Sequence, residues 1–292
     1  MITSRERIIK VFNKEEVDRP PCICPGGMMN MITIDLMEKA NIFWPNAHLN
    51  AEKMAQLAIS NYENNCFENY GVPFCMTIEA EALGSTVTMG TREFEPHVTE
   101  YAIDSVTDYK KLKKMNLEKG RAKVVLDAIK ILKSENNDIP IVGNITGPIS
   151  TASSLMEPVN FYKELRKKNK EAHEFMQFVT DEIIKFARAQ IDAGADIIAI
   201  SDPSGSGEIL GPRDFEQFAV KYINQVMELL EDRITMDNIL KNILNNNDLS
   251  CNYKEYHFYR STIVSIMSYL IDLKKVDYEI KNGEILYYSK KL

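Results

Sequence analysis

The sequence predicts an α/β fold: a truncated TIM (β/α)8-type parallel barrel of about four βα units, followed by a small helical, winged-helix-like tail. Three observations carry this expectation. Short, nearly continuous apolar runs alternate with longer amphipathic stretches; each run closes in a polar loop bearing Gly or Pro; and the alternation stops near residue 232. Strands covered by helices on both faces read as unbroken apolar runs, and strand–helix alternation implies a parallel sheet with right-handed crossovers. At 292 residues and 45% hydrophobic content, the chain is long enough for a full barrel or two ordinary domains.

Residues 3–15 read as an amphipathic helix, with Ser4 or Thr3 as cap and Ile8, Ile9, Val11 and Phe12 as its inward stripe. Arg19-Pro20-Pro21 stop it, and Cys22-Ile23-Cys24 reads as a first buried strand ending at Pro25-Gly26-Gly27. The same syntax recurs three times: a helix around 51–64 then a strand over 72–80, a helix around 121–134 then a strand over 139–147, and a long helix around 170–192 then a strand over 197–201. A helix at 212–230 follows, with Pro212 at its start and Phe215, Phe218, Ala219, Tyr222, Ile223, Val226 and Leu229 inward. Four strands fall short of the eight that close a barrel. The expected division is therefore a partial barrel over 1–231 and a separate tail over 232–292. In the tail, short helices at 233–244 and 261–274 precede a β-hairpin turning at Asn282-Gly283, the strongest short hairpin signal.

The formal charge of −7 is spread along the chain. The tail from Arg233 holds nine Lys/Arg against seven Asp/Glu, too balanced for a DNA-reading winged helix, so neither nucleic acid nor an anionic membrane surface is an expected partner. No apolar run approaches the roughly 18 residues of a membrane helix, and the expected location is cytoplasmic. Five cysteines in irregular settings read as thiols rather than a disulfide framework.

In parallel sheets, chemistry sits on the loops at the strands' C-terminal ends, where backbone N–H groups and helix N-termini converge. The densest such loop is Ser201–Pro212, with Asp202, Ser204, Ser206 and Glu208 among glycines. Carboxylates there can bind a cation or take a proton, and a loop whose glycines merely permit its turn is the plainer alternative. The glycine spacing does not fit GxGxxG, so a dinucleotide loop is excluded. Glu79 and Glu81 close the second strand, where alternation would put them on one face with Cys75 and Thr77. A glutamate buried there needs a partner; one beyond the strand end is solvated. The loop from Pro25 through Asn30 to Met31 is apolar and rich in methionine, suited to a large, partly apolar ligand or to packing on neighbouring helices. Asn144, Thr146 and Ser150–Ser154 supply amide and hydroxyl groups. None of the four histidines lies at a zinc-ligand spacing, so no metal ligands are assigned.

The segments RERIIKVFNKEEVDRPP, CPGGMMN, ENYGVPFCMTIEAEALG, GNITGPIS and ISDPSGSGEILGP are together similar to the uroporphyrinogen decarboxylase superfamily, over residues 1 to about 230. Within it they resemble the methylcobamide:coenzyme M methyltransferases more than the decarboxylases. The decarboxylase's substrate-clamping arginines correspond to Gly26 and Asn30, its pyrrole-binding aspartate to Cys75 and its pocket tyrosine to Ser154. Without that cationic clamp a polycarboxylate porphyrinogen is poorly held, so uroporphyrinogen decarboxylation is the least favoured activity.

The resemblance implies methyl transfer from a methylated corrinoid protein to a small-molecule thiol. Zinc, held by an HxC pair on the fifth strand and a later cysteine, activates that thiol. Zinc and corrinoid are thus the cofactors expected for the family, but the chain passes from 230 into a different sequence, and those zinc ligands are missing from it. The tail resembles the small winged-helix end of metallo-β-lactamase-fold hydrolases. Two functional expectations follow: a methyltransferase site lined by Asn30, Cys75, Glu79, Asn144, Asp202 and Glu208, or a catalytically inactive ligand-binding or interaction fragment. Open barrel edges would favour a homo-oligomer.

Overall fold

The computed structural model describes residues 2–24, 32–230, 234–235, 239–240, 244, 251–273, 276–281 and 284–289. The chain divides into two compact units, Met1–Val226 and Met227–Leu292.

The first unit is built on a parallel sheet of three strands, β1 (Tyr70–Val72), β4 (Ile141–Thr146) and β5 (Ile197–Ser201), in the order β1-β4-β5. Val72 pairs with Gly143, Asn144 with Ala199, and Thr146 with Ser201. Each crossover carries helices. Between β1 and β4 lie α5 (Ile78–Leu83), a small antiparallel pair β2 (Thr86–Thr88) and β3 (His97–Glu100), and α6 (Gly120–Glu135). Between β4 and β5 lie α7 (Pro148–Leu155), α8 (Pro158–Lys167) and α9 (Asn169–Ala193). The alternation of helix and parallel strand is as expected, and β4 is buried along its whole length.

Two expected strands differ. Cys22–Cys24 is not a strand: Pro20 and Pro21 donate no N–H, and the segment is held by one backbone bond, from the Glu68 N–H to the Cys22 carbonyl (2.7 Å), and by side chains. The Cys22 N–H donates to the Glu68 carboxylate (2.9 Å) and the Cys24 N–H to Asn69 Oδ1 (2.8 Å). The strand expected over 72–80 ends at Val72, where Pro73 interrupts the ladder, and the helix-favouring run IEAEAL forms α5. Glu79 and Glu81 therefore stand on a helix, and strand alternation does not place them. Helices α2 (Ile34–Ala40), α3 (Asn46–Leu49), α7 and α8 were not foreseen.

Helix α1 (Ser4–Phe12) is capped by Thr3, which accepts from the Glu6 N–H while Glu6 reaches back to the Thr3 N–H. Its inward stripe is narrower than expected: Ile8 is buried, but Ile9, Val11 and Phe12 are exposed. Arg7 takes the inward place beside Ile8 and bridges Asp18 and Glu68. Arg5 donates to Asp196 Oδ1 (2.9 Å from Nε), and Asp196 Oδ2 accepts from the Ile141 N–H (3.0 Å), so α1 is tied to the starts of β4 and β5. Helix α4 (Ala51–Glu63) buries Met54, Ala55, Leu57 and Ala58.

Beyond β5, a short helix α10 (Gly207–Leu210) leads to α11 (Pro212–Asp214), a π-helical stretch Phe215–Val220 and α12 (Lys221–Leu230). Phe218, Ala219, Tyr222 and Val226 are buried, as the sequence pattern predicts.

The second unit holds a two-residue strand β6 (Ile234–Thr235), a 20-residue helix α13 (Tyr253–Asp272) and the hairpin β7 (Val276–Lys281) and β8 (Glu284–Ser289). The hairpin strands pair from Val276↔Ser289 to Lys281↔Glu284, and β6 adds to β8. The expected turn, Asn282-Gly283, and most of the expected helix at 233–244 lie outside the described residues. Among the described residues of this unit, Leu240, Ile263 and Met267 are buried together, with partly buried neighbours such as Tyr256, Leu270 and Val276 packed against them.

Candidate active site

The C-terminal ends of β1, β4 and β5 gather the polar residues. On β4 the side chains alternate between two faces. Gly143 belongs to the face covered by α9, since a Cβ there would lie 2.5 Å from Gln190 Oε1. Asn144 and Thr146 belong to the opposite, inner face, and Ser201 joins them by donating from Oγ to Asn144 Oδ1 (3.1 Å). Asn144 is only 1% exposed, and its Nδ2, like the Thr146 hydroxyl on the same face, has no hydrogen-bond partner among the described residues. A buried polar group without a partner costs roughly 1–3 kcal/mol, so these are strand-end groups that a ligand would relieve.

Glu79 reaches the same place from α5. Its Oε1 accepts from the Thr146 N–H at 2.7 Å, and burial pushes its carboxyl above the usual glutamate range. The loop between β1 and α5 is held by one side chain, Arg121 of α6. The guanidinium donates to Glu81 Oε2 (2.5 Å), to Thr77 Oγ1 (2.9 Å), to the Thr77 carbonyl (3.3 Å) and to Cys75 Sγ (3.2 Å). Cys75 Sγ also accepts from the Thr77 hydroxyl (3.7 Å). Burial raises the Cys75 thiol, with the Arg121 cation acting the other way. His48, on α3, is buried between the Trp44 and Phe74 rings with neither ring nitrogen hydrogen-bonded among the described residues; burial, aided by the Arg121 cation, lowers it to about 3.

Asp202 follows β5 directly and is committed to α7. Its carboxylate accepts from the Ser150 N–H (2.7 Å) and the Ile149 N–H (3.2 Å), taking the helix N-terminus that an external anion would otherwise occupy. Glycines on two sides make room for it. A Cβ on Gly147 would lie 2.3 Å from Asp202 Cβ, and one on Gly205 2.9 Å from Asp202 Oδ2. Burial raises this carboxyl too, against the two backbone donors.

Of the residues singled out from the sequence, the structure thus places Cys75, Glu79, Asn144 and Asp202 at the strand ends. Glu208 is exposed on α10 and joins none of these contacts, because α10 turns the chain away after Ser206 caps it. Asn30 lies outside the described residues. Arg121 and Ser201 were missed. Arg121 gives no local signal, standing in an ordinary amphipathic helix, whereas Ser201 could have been found from register once β4 and β5 were aligned.

A cleft of about 730 Å³ opens at the other, N-terminal end of the sheet, lined by Arg7, Arg19, Cys22, Cys66 and Glu68 among others. Its arginines are already engaged, Arg7 with Asp18 and both with Glu68. Its charged arginines are thus spent within the protein, and the strand ends remain the better candidate.

The donor set at the strand ends does not suit zinc. Cys75 has a guanidinium against its sulfur, Glu79 and Asp202 are spent on backbone N–H groups, and among the described residues no three His, Cys, Asp or Glu side chains converge.

Polar groups gathered at the C-terminal ends of parallel strands are where α/β barrels and open sheets place their sites. The chain belongs to the uroporphyrinogen decarboxylase (URO-D) family, whose model matches residues 3–245. Among curated relatives it is 32% identical to the methylcobamide:CoM methyltransferase MtbA of Methanosarcina acetivorans, over 79% of this chain and 67% of the relative. It is 35% identical to the methylcobamide:CoM methyltransferase MtaA of Methanosarcina barkeri, over 74% of this chain and 63% of the relative. A solved methyltransferase from Methanosarcina mazei superimposes with a TM-score of 0.73 at 33% identity, covering 79% of this chain and 68% of that one. The matched part thus spans about two thirds of the length of these relatives.

Proposed function

We propose that this chain is a binding derivative of a methyltransferase that moves a methyl group from a methylated corrinoid to a thiol such as coenzyme M. On this reading the described residues supply the positioning half of such a site: Arg121 holds the β1–α5 loop, Glu79 and Thr146 set the end of β4, and the Asn144 amide offers a buried donor to the ligand. The observation that carries it is the Asn144 Nδ2 on the inner face of the sheet, without a partner among the described residues. When bound, zinc would supply thiol activation. The donor chemistry here does not fit it, so we infer ligand binding without turnover. The partners on this reading are a corrinoid protein and a small thiol. The antiparallel sheet following α13 supports reading the tail as winged-helix-like.

The test uses the full chain with methylcobalamin and coenzyme M. Equilibrium dialysis should find saturable binding of one of them, weakened about tenfold by Asn144→Ala, the effect of losing one hydrogen bond of about 1.4 kcal/mol. Absorbance should report no methylcobalamin consumption above the protein-free rate, with or without added zinc. Catalysed consumption would overturn the inactive half of the proposal. Absence of saturable binding of either compound would overturn the whole.

A further inference from the structure

The end of α8, the start of α9 and the α10–α11 turn line a second cleft, of about 370 Å³, within the first unit. That size falls in the range of small-molecule sites. Its charged lining is Arg166, Arg213 and Asp214, and Leu210 and Pro212 give it an apolar wall. Gly211 lies between these two at φ +76°, and a Cβ there would meet nothing within 4 Å, which leaves that side of the cleft open.

The two arginines are prepared differently. Asp214 is buried and accepts from Arg166 Nε (2.5 Å), while Arg166 Nη2 donates to the Leu210 carbonyl (3.1 Å). A side chain that is 67% exposed would ordinarily sample many rotamers, but these two bonds fix the guanidinium plane. Its Nη1 has no partner among the described residues. Arg213 is exposed, and its guanidinium has neither ion pair nor hydrogen bond among the described residues. Asp214 balances one of the two charges, so the cleft is net positive in a chain whose formal charge is −7. Lys167 and Lys170, exposed at the end of α8 and in the first turn of α9, add to that field, and neither Glu208 nor Glu216 lines the cleft. The larger cleft at the N-terminal end of the sheet is the reverse case, since both of its arginines are bonded to carboxylates.

We infer that this cleft binds a small phosphate monoester, its phosphate taken by Arg166 and Arg213 and its organic part resting against Leu210 and Pro212. A guanidinium held at two points offers its remaining N–H groups to phosphate oxygens in a set geometry. Two cations against one buried carboxylate favour a dianion, and a phosphate monoester carries close to two charges at neutral pH. The inference draws on none of the strand-end groups, so it stands or falls apart from the function proposed for them.

Isothermal titration calorimetry of the full chain tests this, with phenyl phosphate as the probe and benzoate and phenol as its monoanionic and uncharged counterparts. The expected result is one-site binding of phenyl phosphate with a dissociation constant of about 0.1 to 1 mM, weaker binding of benzoate and none of phenol. Arg213→Ala should weaken phenyl phosphate about tenfold, the loss of a charge-assisted hydrogen bond, and Arg213→Glu should abolish binding. Lys163→Ala, at an exposed site of α8 outside the cleft lining, and Asn144→Ala, at the strand ends, should leave it unchanged. Unaltered melting temperatures certify the fold of the Arg213 variants. No saturation by about 10 mM would overturn the proposal, as would binding that Arg213→Ala leaves intact. Equal weakening by Lys163→Ala would do so by showing diffuse surface attraction, and loss with Asn144→Ala by moving the ligand to the strand ends. Benzoate bound as tightly as phenyl phosphate would overturn the assignment to phosphate.

Discussion

Glu79 holds its carboxylate where water cannot reach it, with the Thr146 N–H donating to it. Its folded pKa is raised above the ordinary 4.5 by burial, so the native state binds the proton more tightly than the unfolded chain. The stability gained from protonation is fully present below pH 4.5 and is lost as pH rises through the folded value. Glu79→Gln keeps an acceptor for the Thr146 N–H and removes the charge. It should therefore raise the urea midpoint at pH 7.5, with an advantage that shrinks toward pH 4.5; an advantage independent of pH would show that the carboxyl is not the cause. Arg121 is the opposite case, a buried cation that makes four hydrogen bonds. Arg121→Met should cost about 3 kcal/mol in denaturant unfolding, because it strands Glu81 and the Thr77 carbonyl together. Arg121→Lys should recover less than half of that, since one ammonium cannot span acceptors on both sides of the loop.

Helix α7 shows how an element is fastened at its start. Its N-cap position is Gly147, which has no side chain to offer, and the capping carboxylate comes from Asp202 at the end of the neighbouring strand. Gly147→Ala should destabilise the unit by about 2 kcal/mol or more, since the new Cβ would collide with Asp202 and core overpacking costs of this order are usual. Asp202→Ala should cost about 1–2 kcal/mol, the loss of a cap. If both changes act on the same contact, the double variant should cost clearly less than the sum, which a double-mutant cycle measures. The sequence marked Asp202 and the surrounding glycines as a group with a purpose, but read that purpose as ligand chemistry. A carboxylate at a strand end and one capping the next helix look alike in one dimension; only the 2.7 Å contact with Ser150 N–H separates them. The β4 and β5 strands were legible because both faces are covered and the apolar runs are unbroken. The strand expected over 72–80 was misread because VPFCMTIEA is apolar enough for either structure, and Pro73 decides for a short strand and a helix. Arg121 was invisible because its four acceptors are some 40 residues distant in the chain.

At the scale of the whole molecule, the two units rest on very different cores. The first buries large side chains such as Phe74, Phe161, Phe175 and Phe186 completely, while the second buries only Leu240, Ile263 and Met267 among its described hydrophobic residues. A unit of about 60 residues with so small a core is marginal by itself. The two should therefore melt separately, the second at the lower temperature. The sequence provides the means of telling them apart, since Trp44 is the single tryptophan and lies buried in the first unit. On heating, helical circular dichroism should begin to fall while Trp44 fluorescence is still native. Coincident transitions by both probes would mean that the units unfold as one.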